Sequence, residues 1–161
     1  MNNKLRLISY GILYDENKFT PIKNETPSFN KPMGGLFACK YRSNRYDWKK
    51  WCIDNKFNTD KLKIYTIFSL LPIAKIITIN DFCDLKTAIN VYTFDDGFRG
   101  IDFEKLSEDY DAIHITERAV CECRYLSDRF YADLYTWDID SYCIFNKNII
   151  DKNSIRYRGE V

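Results

Sequence analysis

The chain has 161 residues, a length that favours a single domain, because one hydrophobic core usually spans about 100 to 200 residues. Hydrophobic residues make up 45% of the sequence and aromatic residues 16%, which excludes a disordered chain. The 24 Lys and Arg residues nearly balance the 23 Asp and Glu residues, for a formal net charge of +1. Because a duplex-binding domain usually carries a basic excess, nucleic acid is not the expected partner.

The cysteines and the apolar runs indicate an intracellular class of protein. Residues 1–18 contain no uninterrupted apolar stretch as long as that of a signal peptide, so we expect a cytoplasmic protein with reduced thiols. The longest apolar run, residues 64–74, is interrupted by polar residues and is shorter than the ~20 residues that cross a bilayer. Most cysteines are expected to be buried as small hydrophobic side chains. They are Cys39, Cys52, Cys83, Cys121, Cys123 and Cys143.

The N-terminal part predicts two strands separated by a long loop. Residues 5–14 are apolar and rich in β-formers, and Gly11 is the expected place of a kink or bulge. Residues 15–32 are polar and contain three prolines. A loop of this length in a compact domain is expected to cover a site. The pair Gly34-Gly35 then predicts a turn into a short buried strand over residues 36–39.

The remaining periodic segments complete a mixed set of short elements. Residues 116–134 have no clear period, and Cys121 and Cys123 are expected on one face of a strand there. The total of about six strands and three short helices does not alternate as βαβ units, which predicts a single domain of the α+β class. Strands are expected over residues 62–71, 73–79, 110–115 and 141–145, and helices over residues 81–89 and 102–108.

Residues 40–51 interleave aromatic and basic side chains and open a further predicted helix, with Asn44 as its N-cap. Trp48 and Trp51 recur at helical spacing, so they share one face. Aromatic faces stack on bases or nicotinamide rings, and Lys and Arg reach phosphates, so one interpretation is that the segment binds a nucleotide or a single strand, with Tyr41 and Trp48 as stacking residues. The alternative is that both tryptophans anchor the helix to the core while the charges are solvated.

The motifs of the common catalytic classes are absent from the sequence. It contains no Walker loop, no G-x-G-x-x-G, no H-E-x-x-H and no G-x-S-x-G. The single histidine, His114, lies between two isoleucines of a predicted strand, where an ordinary half-buried side chain is more frequent than a catalytic one. A zinc site would have to combine it with Cys121, Cys123 and a distant cysteine, at a spacing unlike paired C-x-x-C knuckles. No metal is therefore expected.

Three short segments, taken in their order along the chain, resemble a known family. Residues 34–39, GGLFAC, followed by the helix that ends near Trp51, resemble the second motif of the ADP-ribosyltransferases of the diphtheria-toxin and poly(ADP-ribose) polymerase type. Residues 140–146, DSYCIFN, are similar to the last motif of that superfamily. Residues 110–113, YDAI, resemble the strand that precedes that motif in small bacterial and phage members.

This resemblance implies a fold and a substrate. The fold is a split antiparallel β-sheet with short flanking helices, which grips NAD in a cleft. The reaction is transfer of ADP-ribose from NAD with release of nicotinamide, and no metal takes part. The family places a His or Arg on the first strand, and the matching positions here hold Ser9 and Tyr10.

The second and third motifs supply the other residues that the resemblance assigns. The aromatic residue that stacks on nicotinamide matches Phe37, and Gly35 and Leu36 of the same motif are assigned to the NAD site. The glutamate that bonds the ribose hydroxyl matches Ser141, which follows Asp140. Tyr10, Phe37 and Trp48 are therefore expected around the base.

Asp138 and Asp140 are the candidate carboxylates of the expected site. Breaking the nicotinamide bond builds positive charge on the sugar, and a carboxylate close by in a dry cleft lowers that barrier. At a period of two the carboxylates are expected to share one face of a strand, which Trp137 would shield from water. The alternative is that residues 137–140, WDID, form a polar turn with solvated carboxylates.

The sequence leaves hypotheses from three functional classes open. The first is an NAD-binding mono-ADP-ribosyltransferase-like protein that modifies a protein of a host cell, rather than nucleic acid or a membrane component. The second is a catalytically inactive inhibitor on the same fold, encoded by a phage, that binds a host protein directly through its Tyr, Trp and Arg side chains. The third and weakest is a nucleic-acid binder that uses residues 41–51.

Overall fold

A computed structural model of the chain describes residues 5–25, 30–41, 46–126 and 131–159. These residues form one α+β domain of short strands and helices connected by loops and 3-10 turns. The strands are β1 (Arg6–Tyr10), β2 (Lys23–Asn24), β3 (Pro32–Met33), β4 (Leu36–Lys40), β5 (Tyr65–Ser69), β6 (Ile76–Ile79), β7 (Ala112–Ile115), β8 (Ser141–Ile144) and β9 (Arg156–Arg158). The helices are α1 (Trp48–Asp54), α2 (Phe82–Val91), α3 (Phe103–Asp109) and α4 (Glu117–Cys123).

A mixed, mostly antiparallel sheet organises the domain. Its seven strands lie in the order β6-β7-β8-β4-β1-β5-β9, and β2 and β3 form a separate small sheet. β6 and β7 are parallel, so the expectation of an antiparallel sheet is wrong at this pair. The chain between them passes through α2 and α3, and a crossover of this kind returns the next strand in the same direction.

The pairing between β1 and β4 is short. Residues 36–38 of β4 pair with β8, whereas residues 39–40 pair with β1. If the antiparallel register of β1 and β4 continued, it would bring Tyr10 opposite Phe37. In these described strands the pairing ends at Ile8 and Cys39 instead. The two strands therefore separate, and a gap opens between Tyr10 and Phe37.

Each face of the sheet carries a hydrophobic core. On one face, β7 and β8 pack under the three helices α2, α3 and α4, with Leu85, Leu106 and Val120 among the buried residues. On the other face, Leu7 and Phe68 belong to a core covered by the loops after β1 and β8. Because strand residues alternate between these faces, successive side chains of β4 and β8 lie on opposite faces of the sheet.

The sequence pattern predicted most of these elements correctly. The strands expected over residues 36–39, 110–115 and 141–145 correspond to β4, β7 and β8. The helices expected over residues 81–89 and 102–108 correspond to α2 and α3, and the side chain of Asp81 accepts a hydrogen bond from the Asp84 N–H. α1 is capped by Asp47, and Asn44, the predicted cap, lies outside the described residues. The strand expected over residues 62–71 begins only at Tyr65, since residues 60–63 form a 3-10 turn.

The prediction for the region of Cys121 and Cys123 is wrong. Both residues lie in α4, and the Cys121 side chain is exposed while Cys123 is buried. Residues two apart on a helix differ by about 200° around its axis, so these two cysteines cannot share a face. The broader expectation is confirmed, since four of the six cysteines are buried and all six are free thiols. β9 was not predicted.

Gly35 is required by the close approach of β4 and β8. Its φ is +64°, and a Cβ there would lie 2.6 Å from the Ile144 carbonyl oxygen. We expect Gly35→Ala to lower the free energy of unfolding by about 3 kcal/mol, because the clash adds to the backbone strain of a positive φ. Urea denaturation measures the loss.

Gly97→Ala is the matched control for this substitution. Gly97 also has a positive φ, +83°, but no atom lies within 4 Å of the position that a Cβ would take there. We expect it to lose only about 1 kcal/mol, the strain of the backbone alone. Equal losses in the two variants would show that the contact with Ile144 is not important.

Candidate functional site

A cleft of about 250 Å³ occupies the gap between β1 and β4. Its walls are mostly aliphatic and aromatic, and its polar groups come from five residues on three separate parts of the chain. The lining residues are Ile8, Ser9, Tyr10, Ile12, Lys31, Phe37, Ala38, Cys39, Trp48, Asp138, Ile139 and Ser141. A concave apolar site with a few convergent polar groups is the usual form of a small-molecule site.

Phe37 forms one wall of the cleft and is held from behind by Trp137. The two ring centroids are 5.8 Å apart, with the planes tilted by 56°. Trp137 is fully buried, and its indole N–H donates a 2.7 Å hydrogen bond to the backbone oxygen of Asn30. This arrangement fixes the orientation of the Phe37 ring, and the Lys31 ammonium lies 5.0 Å from the centroid of that ring.

Tyr10 and Trp48 form the opposite side of the cleft. The Tyr10 hydroxyl donates a 2.5 Å hydrogen bond to Asp47, the residue that caps α1. Burial, and then the bond to Asp47, raise the pKa of Tyr10 far above its ordinary value. The hydroxyl therefore remains protonated and ties β1 to α1, the helix that carries Trp48.

Trp48 begins a short stack of aromatic rings on α1 and the turn that follows. Its ring is stacked on Trp51 at 4.8 Å with an interplanar angle of 10°. Trp51 is in turn stacked on Phe57 at 5.3 Å. Both tryptophans pack against buried residues of β1, β4 and β5, which supports the interpretation that they anchor the helix. Trp48 also lines the cleft, so anchoring and ligand contact are compatible.

Asp138 and Ser141 bring polar groups to the floor of the cleft. Arg124 donates a 2.8 Å hydrogen bond to Oδ1 of Asp138, and both side chains are partly buried. The Ser141 hydroxyl donates to the backbone oxygen of Ile139 at 2.9 Å. Asp138 therefore presents a fixed negative charge whose position is set by a cation on the loop after α4.

Asp140 lies on the opposite face of the sheet from Phe37. Its carboxylate is 3.0 Å from Nε2 of His114 and 3.6 Å from the Lys40 ammonium. His114 is stacked on Tyr142 at 4.0 Å, and Tyr142 alternates with the residues of β8 that face Phe37. The prediction that Asp138 and Asp140 share one strand face is wrong, because both precede β8 in irregular backbone.

Three other residues predicted for the NAD site are not among those that line the cleft. Gly35 faces Ile144 and Cys143, and Leu36 is buried in the second core. Tyr41 is exposed, and its ring lies under the guanidinium of Arg6, with 4.9 Å between the carbon and the ring centroid. The predicted residues that the structure brings together are Ser9, Tyr10, Phe37, Trp48, Asp138 and Ser141.

Lys31 and Cys39 are cleft residues that were not predicted from the sequence. Lys31 comes from the loop that was expected to cover a site, but nothing in its sequence neighbourhood marks it. Cys39 is buried, and burial raises the pKa of its thiol to about 11. Since the thiolate is the reactive form, Cys39 contributes to the wall and not to nucleophilic chemistry.

The described residues place no metal site near this cleft. No group of three or more His, Cys, Asp and Glu side chains in that part of the chain is arranged to hold a metal ion. None of the described helices is both long and apolar enough to cross a membrane.

Comparison of the chain with protein-family models, with curated proteins and with solved structures found no match. The geometry and chemistry of the cleft are therefore the basis on which a function is assigned.

Proposed function

We propose that the cleft binds the nicotinamide ribose part of NAD and that the protein transfers ADP-ribose to a protein acceptor. One observation carries the proposal: the gap between β1 and β4 gathers Tyr10, Phe37 and Ser141, the positions that resemble the three motifs of the ADP-ribosyltransferases. These residues come from three strands that are distant in sequence. Their meeting in one cleft is not required by local sequence pattern.

The size and the walls of the cleft suit a planar ring with a sugar. Binding sites for whole drug-sized ligands are usually about 300–1,000 Å³, whereas this cleft measures about 250 Å³. It therefore accommodates one half of a dinucleotide, and the adenosine half would extend outside. The nicotinamide ring would stack on Phe37 in place of the Lys31 ammonium, which lies 5.0 Å from the centroid of that ring, since offset stacking of aromatic rings is favourable.

The proposed reaction breaks the bond between nicotinamide and C1′ of the ribose. The electron pair of that bond leaves with nicotinamide, which becomes neutral, and positive charge develops on the sugar. The acceptor side chain forms the new bond to C1′ and loses a proton to solvent. The Asp138 carboxylate, held by Arg124, would stabilise the developing charge electrostatically in a cleft of low polarity.

Filling the cleft tests this proposal directly. Ile12 lines the cleft and is 45% exposed, so Ile12→Trp adds bulk without disturbing the core. We expect the wild-type protein to bind NAD in a calorimetric titration and to release nicotinamide. In Ile12→Trp we expect the affinity for NAD to fall by about tenfold or more, because the indole fills part of the cleft and the ring of the ligand then buries less area against its walls.

Ile73→Trp is the matched control, because Ile73 is 78% exposed and is not a lining residue of the cleft. We expect this variant to bind NAD as the wild type does. No binding of NAD to the wild-type protein at millimolar concentration would contradict the proposal. Equal affinity in the wild type and both variants would show that NAD binds elsewhere.

The second candidate function is a non-catalytic binding protein with the same cleft. The observation that favours it is Ser141, which occupies the position of the family's glutamate and whose hydroxyl is bonded to the Ile139 oxygen. For this candidate we expect a stoichiometric protein partner to be recovered and no nicotinamide to be released. Nicotinamide release that depends on an intact cleft would exclude it.

A further inference from the structure

Lys31 is a cation inside an aromatic cleft, and its charge has no carboxylate partner among the described residues. Its ammonium donates a 2.9 Å hydrogen bond to the backbone oxygen of Thr136. It also lies 5.0 Å from the centroid of Phe37 and 5.5 Å from that of Trp137. None of these partners carries a charge.

The carboxylates around the cleft have close partners of their own. Asp138 accepts a hydrogen bond from Arg124, and Asp47 accepts bonds from the Tyr10 hydroxyl and from the first turn of α1. Asp138 is the carboxylate that acts most strongly on Lys31, but the two form no ion pair. The cleft therefore contains an ammonium that forms no ion pair with a carboxylate in the described part of the protein.

An ammonium without a counter-charge is energetically unfavourable in an apolar site. Burial of a charge without a counter-charge is unfavourable, and here burial lowers the pKa of Lys31. The faces of Phe37 and Trp137 offset part of this penalty through cation–π attraction. The ammonium nevertheless lies above the ring on which nicotinamide is proposed to stack, and the nicotinamide ring of NAD is itself positively charged. Because the Lys31 ammonium and the nicotinamide ring repel each other, a negative group of the ligand close to both would stabilise the complex.

We infer that Lys31 binds a phosphate of the ligand, so that the cleft selects a phosphorylated nucleotide over the corresponding nucleoside. This inference rests on the proposed function and specifies the ligand further. The Lys31 side chain has a flexible stem of four methylene groups, and its ammonium has three N–H donors. It can therefore leave the ring face and donate to phosphate oxygens when the nicotinamide ring takes its place.

The test compares two probes that differ by one phosphate, nicotinamide mononucleotide and nicotinamide riboside. We expect the wild-type protein to bind the mononucleotide at least about tenfold more tightly, as is usual for a charge-assisted hydrogen bond in a partly buried site. In Lys31→Met, which keeps most of the length of the side chain but removes its charge, this preference is expected to fall to about twofold or less. Calorimetric titration gives both affinities.

Lys86→Met is the matched control, because Lys86 is exposed on α2 and its ammonium also lies over an aromatic ring, Tyr131, at 5.7 Å. It removes the same charge from the chain, and we expect it to keep the wild-type preference. Lys31→Arg is expected to keep most of the preference as well, since it retains the charge. The comparison of the two probes on the wild-type protein needs no variant to fold.

Three results would overturn the inference, and they separate it from the proposed function. Equal affinity of the wild-type protein for both probes would exclude a phosphate contact while leaving the nicotinamide cleft in place. A preference that Lys31→Met retains would assign the phosphate to another cation. Failure of both probes and of NAD to bind the wild-type protein would overturn the inference and the proposed function together.

Discussion

Replacing Asp138 by asparagine is expected to reduce nicotinamide release from NAD by about 100-fold, which is typical of losing one electrostatic contact to a transition state. The substitution keeps the shape of the side chain and removes its charge, so the positive charge proposed to develop on the ribose would lose the carboxylate proposed to stabilise it. Because the neutral amide still fills the cleft, the affinity for NAD is expected to change less than the rate. Single-turnover measurement of released nicotinamide gives the rate, and calorimetry gives the affinity.

Asp60→Asn is the matched control for the charge change. Asp60 is exposed in the 3-10 turn after α1 and forms a surface ion pair with Lys63 at 3.2 Å, and we expect wild-type release of nicotinamide. The free energy of unfolding should be measured for both variants, since Asp138→Asn also leaves Arg124 without its charged partner. An unchanged rate in a folded Asp138→Asn protein would remove this carboxylate from the proposed mechanism.

Trp137→Ala is expected to lower the free energy of unfolding by about 3–5 kcal/mol, the usual loss for a fully buried aromatic side chain. Trp137 is 1% exposed and packs in the larger core. Its removal leaves a cavity and also deprives the Asn30 oxygen of its indole donor. The Phe37 ring loses its support, so NAD affinity should fall in the variant under conditions where it remains folded. Urea denaturation measures the stability.

Phe57→Ala provides the comparison for this loss. Phe57 is 58% exposed and contacts Trp51 at the outer end of the aromatic stack, so its removal is expected to lose only about 1 kcal/mol. A similar loss of unfolding free energy in the two variants would mean that the buried Trp137 side chain contributes no more to stability than the exposed Phe57 side chain. If Trp137→Ala lost stability but bound NAD as the wild type does, the orientation of Phe37 would not matter for binding.

Much of the fold could be predicted because the relevant signals are local. The alternation of Ile113 and Ile115 with their neighbours identifies β7, and the carboxylates of Asp81 and Asp102 mark the starts of α2 and α3. In both helices the capping side chain accepts a hydrogen bond from a backbone N–H three residues on. Such bonds depend only on neighbours in sequence, so the pattern is sufficient.

The candidate site could be predicted only in part. Tyr10, Phe37 and Ser141 were assigned from a resemblance, and the cleft brings them together. Asp138 and Asp140 were both candidate carboxylates, but Asp140 lies beside His114 and Lys40 on the other face. Residues two apart share a face only within a strand, and both Asp138 and Asp140 precede the first residue of β8. The direction of an irregular segment depends on its partners elsewhere in the chain.

Composition, turn residues and hydrophobic alternation are sufficient to predict the α+β class, because they are properties of short segments. The place where the strands separate depends on contacts between distant segments. The separation of β1 from β4 depends on β4 pairing with β8 at one end and with β1 at the other, and these contacts join residues far apart in the chain. The same long-range packing places Lys31 over Phe37 and holds Asp138 against Arg124. The chemistry of the cleft therefore arises from contacts that no local pattern encodes.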